Sequence, residues 1–243
     1  VIASLLAMRV KPDSVARAAD SMLVQLKEGW TYVSGFAPIR TILLLFALVS
    51  LMGWPFTVLM PIFAGNILHG GPHTLGFLMG AVGVGALISA ISLAVRKSVL
   101  GLGRMIPIST AALGAALICF GFSRVFLVSL LFMLICGFGM MQQMAASNTI
   151  IQTIVDDSKR GRVMSFYTVA FVGMAPFGSL FAGAMAHAIG APRTVIISGI
   201  CCLAGAAWFA TRLPAIRKLI RPIYTDLGIL PPNTTVIQDS LGT

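Results

Sequence analysis

The sequence predicts an all-α integral membrane protein whose helices cross the bilayer six times. Of its 243 residues, 58% are hydrophobic and only 10% are charged, whereas soluble domains carry about a quarter charged residues. Long runs without Lys, Arg, Asp or Glu alternate with short charged segments, which is the pattern of membrane crossings and their loops. Positive charges also concentrate in alternate loops, as the positive-inside rule requires of a multi-pass protein.

A dense charge cluster at 156–162 is the reference from which the membrane side of every other loop is assigned. Residues 125–155 and 163–192 contain no Lys, Arg, Asp or Glu, so each run is apolar enough to cross a membrane. The cluster between them therefore predicts a water-exposed loop. Three of its five charges are cations, which favours the cytoplasmic side.

The beginning of the chain predicts two different segments. Residues 1–8 are apolar and stop at Arg9, a length of only about 12 Å as a helix, so we expect them to be the end of a truncated preceding transmembrane helix. Residues 9–38 are expected to form a cytoplasmic linker with an amphipathic helix, because apolar side chains recur there at helical spacing and Trp30 follows near the membrane interface.

Six predicted crossings follow the linker. The charge-free run 41–95 is too long for one crossing and fits two joined by a glycine-rich turn. The bundle is predicted over 39–212, and the segment 213–243 is expected to be a disordered cytoplasmic tail. The six predicted helices cover about 39–64, 74–95, 105–122, 125–150, 163–188 and 194–212.

The distribution of cations agrees with this topology. Fifteen of the 17 Lys and Arg residues fall in the linker, the second loop, the fourth loop and the tail, which six crossings place on one side. The other side holds Arg124 and Arg193. We therefore expect a multi-pass protein of a plasma (bacterial inner) membrane, with its linker and tail in the cytoplasm.

Sites for catalysis, cofactors and nucleic acid are not indicated. No carboxylate lies within a predicted crossing, and no phosphate-binding glycine loop or paired catalytic histidine is present. The cations lie between apolar runs rather than in a basic stripe, so nucleic-acid binding is not expected. We predict a non-enzymatic protein with no cofactor or metal. The four cysteines are predicted to be small buried hydrophobic residues: Cys119, Cys136, Cys201 and Cys202.

Two crossings carry features of a polar cavity. Proline at 55 and 61 predicts a bent first helix with exposed carbonyl groups near Trp54 and Thr57. The fourth helix carries Gln142 and Gln143 at membrane depth, where amides are costly unless they meet partners or water. Interhelical hydrogen bonding is the alternative explanation for both glutamines.

Glycines recur within the helices and predict close helix contacts. On the second helix, we expect Gly76, Gly80, Gly83 and Gly85 to mark one side. Such glycines let helix backbones pack closely in lipid, either as static contacts or as smooth surfaces along which helices slide, and the sequence leaves both open.

These features resemble the major facilitator superfamily, specifically the C-terminal half of a twelve-helix transporter in the bacterial efflux branch that includes enterobactin exporter-like proteins. The resemblance covers about 1–212. The stretches that carry it are Arg160-Gly161-Arg162-Val163-Met164-Ser165, Gly173-Met174-Ala175-Pro176-Phe177-Gly178, and Gly101-Leu102-Gly103-Arg104 after Arg96-Lys97.

The resemblance implies six helices arranged as 3+3 inverted repeats and a role for named residues. By analogy the first and fourth helices line the substrate cavity, which would place Trp54, Thr57, Gln142 and Gln143 there. Ion pairs of a cytoplasmic gate would form among Arg96, Arg104, Asp156, Arg160 and Arg162. The alternative for the arginines is a role in topology and in contact with lipid headgroups alone; the gate role is favoured for Arg160 and Arg162, which lie at the start of the fifth helix.

The function implied by the resemblance is secondary active transport. We expect efflux of a small amphipathic solute, such as a drug or siderophore, by alternating access against an N-terminal six-helix half. A coupling ion, the proton, would act on carboxylates in that other half. The alternative is a transport-inactive membrane scaffold or regulatory protein with the same fold, which large side chains plugging the cavity would favour.

Overall fold

Six long apolar helices dominate the part of the protein that the structure describes. The computed structural model describes residues 22–96 and 98–229, so the expected helix end at 1–8 and the beginning of the linker lie outside it. A short helix, α1 (Met22–Gly35), precedes the six helices that are long and apolar enough to cross a membrane. These are α2 (Ala37–Ile67), α3 (Pro72–Ala94), α4 (Leu102–Phe122), α5 (Phe126–Ile154), α6 (Asp157–Ile189) and α7 (Ala191–Asp226). The predicted all-α membrane fold is confirmed.

The last helix is longer than the sequence indicated. Residues 213–226 were expected to be disordered, and that prediction is wrong, because α7 continues through them to Asp226. Ile216 and Ile220, one helical turn apart, are 5% and 7% exposed and pack into the core. Their apolar stripe keeps this polar segment helical. Residues 230–243 of the expected tail lie outside the described part.

The core consists of two hydrophobic clusters, one toward each end of the bundle. One contains the starts of α2, α4 and α6 with the ends of α5 and α7, for example Ile42, Ile106 and Ile150. The other contains the middle and end of α2 with the end of α4, for example Phe63 and Phe120, whose ring centroids are 4.4 Å apart. This division follows from helices that alternate in direction and are joined by short turns.

Positive charge is concentrated at one of these two ends of the bundle. The end of the bundle that holds the first cluster is called the basic end here. Its cations among the described side chains are Arg40, Arg96, Arg104, Lys159, Arg160, Arg162, Arg212, Arg217, Lys218 and Arg221. The opposite end carries Arg124 and Arg193, in the turns before α5 and at the start of α7.

Glycines allow close crossings inside the bundle. A Cβ added at Gly85 of α3 would meet the Leu134 carbonyl of α5, and one added at Gly137 would meet the Val82 carbonyl. In contrast, Gly80 and its neighbours at 76 and 83 have no atom of another element within 4 Å. The expectation that all four α3 glycines mark one side is therefore wrong, because position 85 lies half a turn away from the other three. The packed side of α3 contacts α5 and the other side is open.

Candidate functional site

Helix α2, the first of the six crossings, changes its hydrogen-bonding pattern in its middle. Val49–Gly53 forms a π-helical segment, and the N–H of Trp54 donates to the carbonyl of Val49 at 3.0 Å. Pro55 follows directly and has no N–H with which to continue the helix. A second π-helical segment lies at Phe63–Ile67, after Pro61. The irregular backbone predicted around the prolines is thus present, and such segments frequently occur at functional sites.

Helix α6 has a matching irregularity that contacts the first one. Its π-helical segment covers Val169–Gly173, and Pro176 follows in the next turn. The Ser50 hydroxyl, in the π-helical segment of α2, donates a hydrogen bond of 2.6 Å to the carbonyl of Phe171. This hydrogen bond therefore joins the π-helical segment of α2 to that of α6. Each is a place where its helix can bend.

An aromatic cluster surrounds this contact and consists of Phe46, Trp54, Tyr167 and Phe171. The ring of Phe46 stacks on Tyr167 at 4.3 Å and on Phe171 at 5.1 Å between centroids. Trp54 meets Phe171 edge-on at 5.2 Å. The Tyr167 hydroxyl donates to the Met144 carbonyl of α5 at 2.9 Å, so its polar group is satisfied within the bundle.

One side of the aromatic cluster is accessible and the other is not. Phe46 and Tyr167 are buried, while Trp54 and Phe171 are half-buried. Thr57, also half-buried, donates its hydroxyl hydrogen to the Trp54 carbonyl at 3.0 Å. The exposed edge therefore offers aromatic faces and a neighbouring hydroxyl. Aromatic rings with few polar groups suit a ligand that is largely apolar, and their faces also attract cations.

The two glutamines lie inside the bundle rather than at its open surface. Gln142 is 1% exposed, and its Oε1 accepts hydrogen bonds from Ser89 at 2.6 Å and from Ser92 at 3.3 Å. These bonds join α5 to α3, which is the interhelical arrangement given above as the alternative. Gln143 is fully buried and, like Ser147 one turn later, makes no hydrogen bond with its side chain.

The expected gate residues Arg160 and Arg96 each contact groups close to them in the sequence. Arg160 pairs with Asp157 at 2.6 Å, and both side chains are substantially exposed. Arg96 contacts the sulfur of Met105 and reaches the Leu100 carbonyl at 3.5 Å. The separate position of Arg104, exposed at the mouth of a cavity, is described below.

Helix α1 docks onto the segment that begins α6. The Nζ atom of Lys159 lies 4.5 Å from the centre of the Tyr32 ring, and Trp30 lies 6.1 Å from Phe166. Burial raises the pKa of the Tyr32 hydroxyl, and the charge of Asp156 raises it further, although a hydrogen bond with the Asp156 backbone acts in the opposite direction. The linker therefore contacts the same loop that carries the proposed gate residues, a contact that the sequence analysis did not predict.

The cysteines do not all behave as predicted. Cys136 and Cys202 are buried, as expected, and Cys201 is half-buried. The prediction is wrong for Cys119, which is exposed on α4, because an apolar side chain can face lipid as well as a protein core. Within 22–96 and 98–229, no three His, Cys, Asp or Glu side chains lie where they could bind a metal ion together.

Comparison with known proteins agrees with this architecture. Residues 1–222 match the family described as "Transmembrane secretion effector". The chain belongs to the major facilitator superfamily. This membership confirms the resemblance on which the sequence analysis relied and identifies the protein as a member of a family of membrane transporters.

Several curated relatives share modest identity with the chain. It is 27% identical over 177 residues to the Staphyloferrin A transporter of Staphylococcus aureus (strain NCTC 8325 / PS 47), covering 71% of this chain and 44% of that protein. It is 28% identical over 214 residues to the multidrug efflux pump Tap of Mycobacterium tuberculosis (strain ATCC 25618 / H37Rv), covering 86% and 49%. The uncharacterized MFS-type transporter YfmI of Bacillus subtilis (strain 168) is 26% identical over 218 residues, covering 87% and 53%. The chain spans about half the length of the curated relatives that it matches.

Proposed function

We propose that this chain forms the C-terminal six-helix half of a secondary active transporter that exports a small amphipathic solute. The observation that carries the proposal is the contact between the π-helical segments of α2 and α6, with the half-exposed aromatic cluster beside it. Transport by alternating access needs helices that bend or rock around a binding site. A pair of weakened helices next to an aromatic surface supplies both features.

The faces that would meet an N-terminal half are the least packed in the bundle. In their most apolar windows, only 17% of α3 and 11% of α6 is buried, compared with 56% of α2. The glycine side of α3 is open, as described above. Small residues on an open transmembrane face allow another helix to approach closely. We therefore place the second half against α3 and α6, with the substrate cavity between the halves.

The residues proposed to contact solute are Trp54, Thr57 and Phe171. Their aromatic and hydroxyl groups suit an amphipathic molecule, and the names of two relatives refer to a siderophore and to multiple drugs, which is the same broad class. The role proposed for Gln142 is to hold α3 on α5, because both its carbonyl contacts run between those helices. Gln143 is a candidate to gain polar partners when the helices move, because it has none in this arrangement.

The basic end is proposed to face the cytoplasm and to carry the inner gate. Arg160 and Arg162 begin α6, the helix that carries a π-helical segment and the most open face, so contacts at its start would respond to its movement. Arg96, Arg104 and Asp156 would exchange partners with the other half. The coupling ion is proposed to be a proton, bound by carboxylates of that half, because the apolar runs 41–95, 125–155 and 163–192 of this chain contain none.

An efflux assay on the intact protein tests this proposal. Cells expressing it are loaded with a panel of amphipathic dyes, and dye loss is followed with and without an uncoupler of the proton gradient. We expect gradient-dependent efflux that Trp54→Ala reduces about tenfold or more, since removing an aromatic anchor at the centre of a site costs about 1.4 kcal/mol or more. Trp208→Ala is the matched control and should retain efflux, because Trp208 is exposed on α7 and lines a separate cavity together with Arg40 and Arg212.

Three outcomes distinguish the parts of the proposal. Efflux that both tryptophan variants retain would keep the function and remove Trp54 from the site. Efflux that the uncoupler does not affect would exclude the proton as the driving ion. Absence of any transport by a folded and inserted protein would favour the membrane scaffold.

A further inference from the structure

A cavity opens at the basic end, between the start of α4 and the end of α7. Its volume is about 450 Å³, which is within the usual range for sites that bind small molecules. The inner part of the lining is apolar: it includes the partly exposed side chains of Val99 and Leu213, together with Ile106 and Phe209, which are almost wholly buried. This inner part can therefore hold hydrocarbon but offers no partner to a polar group.

The mouth of the cavity is strongly basic. Its lining includes Arg104, Arg217, Lys218 and Arg221 and contains no Asp or Glu. Arg104 and Arg217 both line this cavity, so their like charges repel one another. An anionic group bound between them would offset this repulsion and accept charge-assisted hydrogen bonds.

The position of the cavity matches the boundary between hydrocarbon and water. The wall changes along α7 from apolar Phe209 and Leu213 to the cations that follow within about two turns. Tyr224 lines the outer part, where aromatic side chains with a polar tip are common at a membrane interface. Apolar depth and a cationic mouth thus lie in the order of an acyl chain and its headgroup.

We propose that this cavity binds one anionic phospholipid, with its phosphate between Arg104 and Arg217 and an acyl chain against Val99 and Leu213. Basic pockets between transmembrane helices are known to suit anionic headgroups. The lipid site lies between α4 and α7 and the proposed solute site between α2 and α6, so either site can fail without the other; Arg104 also belongs to the proposed inner gate.

A second cavity on the opposite side of α7 provides a matched control. Its volume is about 310 Å³, and its cations are Arg40 and Arg212. It lies at the same end of the bundle and has the same kind of apolar wall. Removing two charges there changes the net charge of the basic end as much as removing Arg104 and Arg217 does.

The test measures lipid binding to the intact, delipidated protein in detergent by native mass spectrometry. Phosphatidylglycerol, phosphatidylcholine with the same acyl chains, and inorganic phosphate are added separately and in competition. We expect one tightly bound phosphatidylglycerol that phosphatidylcholine does not displace. The double variant Arg104→Gln with Arg217→Gln should weaken its binding about thirtyfold, since each cation near a headgroup contributes about 1 kcal/mol. The variant Arg40→Gln with Arg212→Gln should bind it unchanged.

A variant that fills the cavity separates acyl-chain binding from surface charge. A Cβ added at Gly103 would lie 3.5 Å from the Leu213 side chain, an ordinary contact, and both residues line the cavity. Gly103→Phe, whose ring would occupy cavity space, should therefore exclude the acyl chain and reduce binding at least tenfold while every cation remains, and a Tm equal to that of the unaltered protein shows that the variant folds. Equal weakening by the two arginine pairs, unchanged binding by Gly103→Phe, or displacement of the lipid by inorganic phosphate would each overturn the proposal.

Discussion

The crossing of α3 and α5 yields a prediction whose size can be worked from the structure. A Cβ at Gly85 would overlap the Leu134 carbonyl and lie 2.9 Å from the Phe138 nitrogen. Both contacts are with backbone, which cannot rotate away as a side chain can. Gly85→Ala must therefore push the two helices apart, and overpacking of this kind costs about 1–3 kcal/mol. Because the overlap is with backbone, the cost should lie in the upper part of this range, about 2–3 kcal/mol; the better helix propensity of Ala returns about 1 kcal/mol, so the net loss should be about 1–2 kcal/mol.

Thermal unfolding of the purified intact protein in detergent measures this loss. For a domain of this size, about 1–2 kcal/mol corresponds to a decrease in Tm of about 2–8 °C. Gly161→Ala is the control, because a Cβ there has no neighbour within 4 Å and the position is exposed at the start of α6. Its Tm should stay the same or rise slightly.

A second variant at the same crossing makes the test stricter. A Cβ at Gly137 would meet the Val82 carbonyl, so it requires the same separation of α3 and α5 as Gly85→Ala does. Once the helices have moved apart for one methyl group, the second should cost less, and the double variant should lose less stability than the sum of the two single losses. A Gly85→Ala protein as stable as the Gly161→Ala control, or strictly additive losses, would refute the close backbone crossing.

Two further predictions concern hydrogen bonding and charge. Gln142→Leu should lower the free energy of unfolding by about 0.6–1.7 kcal/mol, because it leaves the Ser89 hydroxyl without its acceptor in the bundle; Gln152→Leu, at an exposed position, should cost less in the same unfolding assay. Because burial and Asp156 raise the pKa of Tyr32 above its ordinary value of 10.0, the stability gained from neutral Tyr32 is complete below that pH and is lost as pH rises through the folded-state pKa. The Tm measured from about pH 9 to about pH 11 should therefore fall less steeply with pH for Tyr32→Phe than for the unaltered protein. Identical slopes would contradict the partly buried position of Tyr32 beside Asp156.

The number and order of the crossings could be predicted because lipid imposes a simple rule on sequence. A run such as 163–192 without charged residues satisfies its backbone internally as a helix, and the cluster at 156–162 stays in water. These features depend on local composition alone. They gave α6 its correct place, although its first turn includes charges that the prediction assigned to the loop.

The end of α7 could not be predicted from composition because its signal is a narrow stripe. Ile216 and Ile220 are separated by Arg217 and Lys218, so the average polarity of 213–226 suggested disorder. Burial of these two isoleucines against the other helices outweighed that polarity. A helical-period count over this segment would have detected the stripe.

The aromatic cluster depends on contacts between distant parts of the chain. The prediction for Trp54 rests on the neighbouring proline, a local signal, and on the family resemblance that places the first helix at the cavity. Its partner Phe171 is more than one hundred residues away in sequence and carries no motif of its own. The Ser50 hydrogen bond across the same gap likewise follows from the packing of α2 on α6. Long-range packing of this kind cannot be derived from one helix pattern at a time.

Access to Thr57 from the two sides of the membrane tests the central claim most directly. Thr57→Cys is introduced into the intact protein with all native cysteines replaced, including the four of this chain. A membrane-impermeant maleimide is then applied to right-side-out or inside-out vesicles, with and without a proton gradient. Alternating access predicts labelling from both sides, with the gradient increasing one rate and decreasing the other. Labelling from one side alone, unchanged by the gradient, would contradict a transporter built around the aromatic cluster.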